Sequence, residues 1–373
     1  CPSPPEGRGV CGTISAMLGW ALLVISMTTQ QQWKPVEGHV MTRWAKDVSA
    51  TAPHPEYPRP TLVRDKWRSL NGLWDYAIAP RDAASMPSAD GRILVPFAVE
   101  SALSGVKRPL MPDQRLWYRR TFTVSDDWGV KARLHFDAVD WEAEVWLNGE
   151  QIGSHRGGYD RFSFDVRLNE GENEIKVAVW DPTDTGTQPR GKQVLKPEGI
   201  WYTAVSGIWQ SVWVEPVGEA YVRGVRVGAS LDGSVTVRLD APGMGDEDTV
   251  QARVVTPEGR PIELTTQTDE LAFKVERPSL WSPSRPDLYR LQVTLSRDGT
   301  VLDKAETYFA FRKIEVRKDE YGQRLYLNGS PLFQVGRLDQ GWWPDGLYTA
   351  PTDAALKYDI QYLKGLGFNM LRK

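Results

Sequence analysis

The sequence predicts a mostly β protein in which two antiparallel sandwiches are followed by one βαβ unit. Three observations carry this reading. Short alternating apolar runs recur between turn signals from Trp67 to about Lys313, at the spacing of roughly 8–12 residues typical of sandwiches. Turn formers and large aromatics are abundant, with 33 Gly, 26 Pro and 16 Trp in 373 residues, which favours sandwiches over helical bundles. Near the end the apolar period changes, and Leu356, Ile360 and Leu363 fall at helical spacing.

Length and composition bound the rest. At about 100–200 residues per domain, 373 residues make two or three domains. With 41% hydrophobic and 25% charged residues, wholesale disorder is excluded. The formal net charge is −3, so no electrostatic excess points to nucleic acid or an anionic membrane. Cys1 and Cys11 are the only cysteines, which rules out a disulfide framework or a cysteine-based zinc site beyond the first dozen residues.

Residues 1–60 read as a leader and extended tail. Within it, residues 14–27 (ISAMLGWALLVISM) are too short to span a bilayer but fit a signal-peptide h-region. Two readings stay open: export to a secreted or periplasmic location, or translated upstream sequence or a disordered leader on a cytoplasmic protein. Residues 30–60 are polar and proline-rich.

Residues 61–216 form the first sandwich. Its strands are read at Leu116–Val124, Arg133–Phe136, Phe162–Val166, Glu174–Trp180 and Trp209–Glu215, and Asn148-Gly149 predicts a type I′ hairpin after Val145–Leu147. The absence of a long helix points to a sandwich or jelly roll. Residues 217–313 have the size and rhythm of an immunoglobulin-like sandwich without its disulfide, with turns at Asp232-Gly233 and Asp298-Gly299. Gly243–Asp248 reads as a solvated acidic loop.

Residues 314–373 open with a hairpin at Asn328-Gly329. A strand at Leu332–Gly336 then precedes a helix capped by Thr352 and stopped by Gly365 in a left-handed conformation, and a second strand follows at Phe368–Leu371. Parallel strands need cover on both faces, so the sequence is expected to be truncated inside a larger parallel fold. An exposed apolar patch is expected at Leu332, Phe333, Leu356, Ile360, Leu363 and Met370.

Several segments together resemble glycoside hydrolase family 2, the group of β-galactosidases, β-glucuronidases and β-mannosidases. They are Leu70-Asn71-Gly72-Leu73-Trp74, the run from Pro112 to Arg120, Val145–Gly149 with His155–Tyr159, Gly199-Ile200-Trp201, Ser206–Gln210, Arg324–Gly329, and Gly365 with Phe368–Arg372. The resemblance spans about residues 61–373. It implies a jelly-roll sugar-binding domain, an immunoglobulin-like β-sandwich and the start of an incomplete (β/α)8 barrel. It further implies a retaining hydrolase of O-glycosidic bonds whose two catalytic glutamates lie on later barrel strands, so the chain itself is expected to be inactive. Such a barrel needs about 250 residues, far more than remain after Glu320. The alternative is a non-catalytic β-sandwich carbohydrate-binding or adhesion module.

No residue is assigned a catalytic role. The substrate-binding candidates are Asp181 and Asp184 at a strand-to-loop transition, Gln114 and Arg115 on the rim, and Asp339, Gln340, Trp342 and Trp343 after the first barrel strand. Arg372, at the end of the second, matches a family arginine that supports the active-site carboxylates. A Trp face stacks on the C–H face of a pyranose; of the two adjacent Trp, one is expected to do so and the other to pack on the neighbouring sandwich. Arg115 has an equal claim to a structural carboxylate. His155 and Tyr159 read as fold-defining, and most other Trp (Trp67, Trp74, Trp146, Trp180, Trp209, Trp213) read as core. No cofactor is expected and no metal ligand is assigned in this sequence. The metal dependence of a full-length enzyme is left open, the partner is a carbohydrate, and a homo-oligomer is left open. Gly186–Gln193 nearly spells a P-loop, but Gln193 replaces the Mg²⁺-binding hydroxyl and Val194-Leu-Lys-Pro197 cannot begin a helix.

Overall fold

A computed structural model describes residues 33–37 and 40–373. The cysteines, the apolar run 14–27 and His39 lie outside the described residues. The chain is mostly β, and the βαβ portion holds the one α-helix of the described residues.

Two antiparallel sheets enclose the first core. One has six strands in the spatial order Gly91–Val95, Gly72–Pro80, Gln114–Thr123, Glu172–Trp180, Glu142–Leu147 and Glu150–Arg156. The other has four, in the order Arg68–Ser69, Val212–Pro216, Lys131–Phe136 and Phe162–Arg167. Alternation puts Leu116, Tyr118, Val145, Leu147, Val177 and Val179 inward against Leu134, Phe136, Val212 and Val214. Each such side chain contributes about 1.5–3 kcal/mol on full burial. The expected hairpin forms, with Asn148 at φ 52° and Gly149 at φ 87°, the two positive values that a type I′ turn demands.

The segments that carry the family resemblance hold this sandwich together. Asn71 donates to Ser211 Oγ (3.0 Å) and accepts from Val212 N (3.0 Å), while Trp74 Nε1 donates to Leu70 O (2.8 Å). Gly207 sits at φ 84°, and an added Cβ would lie 2.1 Å from the Tyr118 hydroxyl; only glycine fits there. Trp74, Trp209 and Trp213 are buried as expected, whereas Trp67, Trp146 and Trp180 are only partly buried.

The second core lies between a three-stranded sheet (Gly224–Ala229, Ser234–Asp240, Glu270–Lys274) and a four-stranded one (Pro261–Thr266, Asp248–Val255, Tyr289–Arg297, Thr300–Phe309). The acidic loop ends sooner than expected, because Asp248 begins a strand and is tied to Arg297 (2.6 and 2.9 Å). Between the two cores Arg64 donates to Glu215 of the first sandwich (2.8 Å) and to Asp303 of the second (3.1 and 2.8 Å).

A hairpin of Ile314–Asp319 and Gly322–Leu327 leads to Gly336–Leu338, which pairs in parallel with Met370–Arg372 across the helix Asp353–Gly365. Thr352 caps that helix, its Oγ1 accepting from Ala355 N (3.2 Å). Two details differ from expectation. The first strand begins at Gly336, because Leu332 is still bonded to Leu325 and Val335 is held by the Asn369 side chain. Gly365 is the last helical residue, and Gly367, at φ 88°, supplies the left-handed turn. Phe333 is 83% exposed, and Leu356 and Ile360 are exposed, while Leu332, Leu363 and Met370 are partly covered. Residues 194–197 form no helix.

Candidate sugar-binding cleft

At the C-terminal ends of the parallel pair, Asp339 N donates to Arg372 O (2.9 Å) and the chain turns into a long loop. That loop is docked on the first sandwich. Asp345 is buried and its Oδ2 accepts from Thr42 N (2.8 Å) and Oγ1 (2.7 Å). Thr349 Oγ1 donates to Pro96 O (3.0 Å), and His54 Nε2 donates to Ala350 O (2.8 Å). Burial lowers the His54 pKa, which keeps the ring neutral and fit for that bond. Trp343 and Leu347 exchange backbone hydrogen bonds (2.7 and 2.9 Å), closing the loop on itself.

Two adjoining clefts, of about 830 and 750 Å³, open beside this loop and share Gln340, Trp343, Leu356 and Lys373. Asp339 and Trp342 line the first of them. Trp342 stacks on Tyr202 of the first sandwich (ring centres 4.4 Å apart, planes at 15°) and meets Tyr348 edge-on at 5.2 Å. Tyr348 in turn touches Tyr159 and Trp209. Trp342 is therefore committed to packing, and Trp343 is the indole shared by both clefts.

Charge in the cleft is arranged around Asp339, whose Oδ2 accepts from Lys373 Nζ (2.7 Å) and Oδ1 from Gly341 N (2.7 Å). Partial burial pushes its carboxyl up, but these two donors outweigh it and hold the group below the ordinary aspartate value. Asp359 on the helix moves the other way, raised by burial and by the nearby charge of Asp339. Among the described residues, no three His, Cys, Asp or Glu side chains are grouped to hold a metal ion, and no helix is long and apolar enough to cross a membrane.

The structure thus brings Asp339, Gln340, Trp342 and Trp343 together, and places the other candidates elsewhere. Asp181 is 2% exposed, its Oδ1 accepting from Thr183 N and its Oδ2 from Ser206 Oγ (both 2.7 Å). As folded here it serves the protein and does not stand on the rim. Asp184 Oδ2 accepts from Leu195 N (3.1 Å), bracing the same loop. Gln114 Oε1 accepts from Met111 N (3.1 Å), and Arg115 pairs with Glu144 (3.3 Å) on the outer face of the six-stranded sheet. The structural carboxylate weighed for Arg115 is therefore present. The Arg372 residue is exposed and makes no ion pair among the described residues.

Tyr202, Tyr348 and Tyr159 were missed as wall residues, and so was Gln193 behind them. Gln193 Nε2 donates to the Tyr159 hydroxyl (3.0 Å) and to Asp140 (3.4 Å), while its Oε1 accepts from Val205 N (2.5 Å). Residues 199–201 lay next to Tyr202 in a segment already singled out, but nothing local says which ring a tyrosine will meet.

Two family profiles match the chain: "Glycosyl hydrolases family 2, sugar binding domain" over residues 105–215, and "Glycosyl hydrolases family 2" over residues 220–312. A β-galactosidase of Thermoanaerobacter pseudethanolicus is 28% identical over 69% of this chain and 36% of its own length. The β-galactosidase BoGH2A of Bacteroides ovatus is 25% identical over 84% of this chain and 36% of its own. The chain spans about a third of the length of these curated relatives. In fold it is similar to a Ruminococcus gnavus β-glucuronidase solved with an N1-substituted uronic isofagomine, with a TM-score of 0.69 at 20% identity over 86% of this chain and 58% of that one.

Proposed function

Because the chain belongs to family 2 of the glycosyl hydrolases, we propose that it forms the substrate-facing part of a retaining enzyme that cleaves a β-glycosidic bond. In this reading residues 61–216 are the jelly-roll sugar-binding domain, 217–313 the immunoglobulin-like sandwich and 314–373 the first strand, helix and second strand of a (β/α)8 barrel. The six- and four-stranded sheets support the first assignment, the three- and four-stranded sheets the second, and the parallel pair bridged by a helix the third. The relatives that are β-galactosidases support a β-galactoside as substrate.

The observation that carries the proposal is the position of the cleft. Barrel enzymes build their active sites at the C-terminal ends of the strands, and Asp339, Gln340 and Trp343 follow the first such strand. Trp343 supplies an apolar platform for a pyranose face. Asp339, held ionised by Lys373, accepts from sugar hydroxyls, and Gln340 both donates and accepts. Retention needs a protonated carboxyl and a carboxylate about 5–5.5 Å apart across the scissile bond. Asp339 is tied to the Lys373 ammonium group and is assigned to holding sugar hydroxyls, not to attack. The two catalytic glutamates are assigned to later barrel strands, outside this sequence.

Two outcomes test this. The purified chain releases no nitrophenol from 4-nitrophenyl β-galactoside or β-glucuronide; turnover by this chain would overturn the assignment of the catalytic pair. The chain nevertheless binds one of these glycosides with a change in tryptophan fluorescence, and Trp343→Ala weakens that binding about tenfold, or ~1.4 kcal/mol. Unchanged affinity in Trp343→Ala would remove the cleft from the proposal.

A further inference from the structure

A third cleft, of about 1080 Å³, lies on the other sandwich, away from the parallel pair. It opens where the edge strand Gly224–Ala229 of one sheet runs beside the edge strand Thr300–Phe309 of the other. Its volume lies just above the usual range of small-molecule sites, roughly 300–1,000 Å³.

The lining is unusual for a chain whose net charge is −3. Four arginines line it: Arg59, Arg226, Arg238 and Arg312. Arg59 is committed to Arg223 O (2.8 Å) and Arg238 to Glu270 (3.0 Å). Arg226 stands directly across the strand pair from Arg238, a like-charge pairing that costs stability. Glu270 answers Arg238 from the far side, and Arg226 makes no ion pair among the described residues, although Asp240 feels its charge. Arg312 also has no carboxylate partner and lies 5.0 Å from the centre of the Trp281 ring. Two carboxylates, Asp240 and Asp269, border the cleft, and Asp240 is already held at two points by Arg223 (2.7 and 2.8 Å). Beside these charges Tyr308 is 42% and Leu288 43% exposed, both lining the same opening.

We propose that this cleft binds a polysaccharide chain of uronic acid residues. Arg226 and Arg312 present planar forks that match carboxylates two hydrogen bonds at a time, and Tyr308 and Leu288 offer apolar surface to the C–H faces between them. A bound carboxylate beside Arg226 relieves the repulsion from Arg238. The site is separate from the cleft at Trp343, and it holds the protein on an acidic polymer independently of any chemistry there.

Titration of the full 373-residue chain with polygalacturonate, and with dextran as the neutral control, tests this by calorimetry. The acidic polymer binds, dextran does not, and raising the salt weakens the interaction because the paired charges are exposed. The double variant Arg226→Ala/Arg312→Ala weakens binding at least about tenfold while its melting temperature stays near the parent's. Arg226→Glu alone weakens it further than Arg226→Ala, so the test survives if one variant folds poorly. Trp343→Ala leaves polygalacturonate binding unchanged. No binding, equal binding of dextran, equal binding by the double variant, or loss of binding in Trp343→Ala would each overturn the proposal.

Discussion

Replacing Arg64 with methionine destabilises the chain by about 3–5 kcal/mol at neutral pH, the loss expected when a buried charge network loses its only central cation. Arg64 is 6% exposed and lies where the two sandwiches meet. Besides Glu215 and Asp303 it bonds to Val222 O in the connecting segment. Removing it leaves two carboxylates in a poorly solvated junction. Glu215, fully buried, also accepts from Tyr57 (2.8 Å) and from His135 Nε2 (3.0 Å). A carboxylate only accepts, so Nε2 carries the imidazole proton and Nδ1 faces the Ser163 hydroxyl (2.7 Å). Burial lowers the His135 pKa despite Glu215, so the ring is neutral.

The same network fixes an acid limb. Burial alone would raise Glu215, but His135, Arg64 and Tyr57 together lower it to about 2 from 4.5. A depressed carboxyl contributes stability above its unfolded value and loses it as pH falls through the folded one. The parent therefore loses this contribution between about pH 4.5 and 2, and Arg64→Met loses less there because less remains. Guanidinium unfolding at pH 7 and pH 3 measures both. A loss under 1 kcal/mol at pH 7 would show that the junction does not depend on Arg64.

Local chemistry made most of the fold legible. The Asn-Gly and Asp-Gly turns require backbone that few residues adopt, and alternation such as Val235, Val237, Leu239 registers a buried face directly. Errors arose where tertiary contacts moved an end. Gly365 and Gly367 are equally plausible stops in sequence, and the position of the second strand decides between them. The start of the first parallel strand was misplaced for a similar reason: the apolar run from Leu332 binds back to its own hairpin before pairing with Met370.

The candidate site was legible only where it is sequence-local. Asp339 to Trp343 are contiguous, and their place after a strand announces them. Tyr202 and Tyr159 come from distant parts of the first sandwich, and their approach to Trp342 and Tyr348 is a product of packing. Asp181 misled because an acid at a strand end reads the same whether it faces water or the interior. Its partner Ser206 lies 25 positions away, so its burial leaves no local trace.

That interior holds the second large effect. Glu100→Gln should make the protein less pH-sensitive between about pH 5 and 8, and more stable than the parent at the upper end. Glu100 sits beside two other buried acids, Asp140 and Asp181, with its Oε2 accepting from Ser206 N (2.9 Å) and its Oε1 from Leu110 N (3.4 Å). Burial raises its pKa from 4.5 to about 8, and the Ser206 donors only partly offset this. Asp140 and Asp181 are raised by burial in the same sense. A group whose folded pKa is raised contributes stability below its unfolded value and loses it as pH rises through the folded one. For Glu100 the span corresponds to a loss on the order of 4–5 kcal/mol between pH 4.5 and 8. Glutamine keeps an acceptor for Ser206 N and carries no ionisable proton, at the expense of the weak bond to Leu110 N, worth about 1 kcal/mol. His135 works in the opposite direction below pH 6.5, so the variant-minus-parent difference is the quantity to measure. That difference should start slightly negative near pH 4.5, cross zero, and climb to several kcal/mol in favour of the variant by about pH 8. A flat difference curve would mean that Glu100 is hydrated enough to ionise normally. Glu100 would then impose no pH dependence on the segment around Ser206, whatever Asp140 and Asp181 contribute.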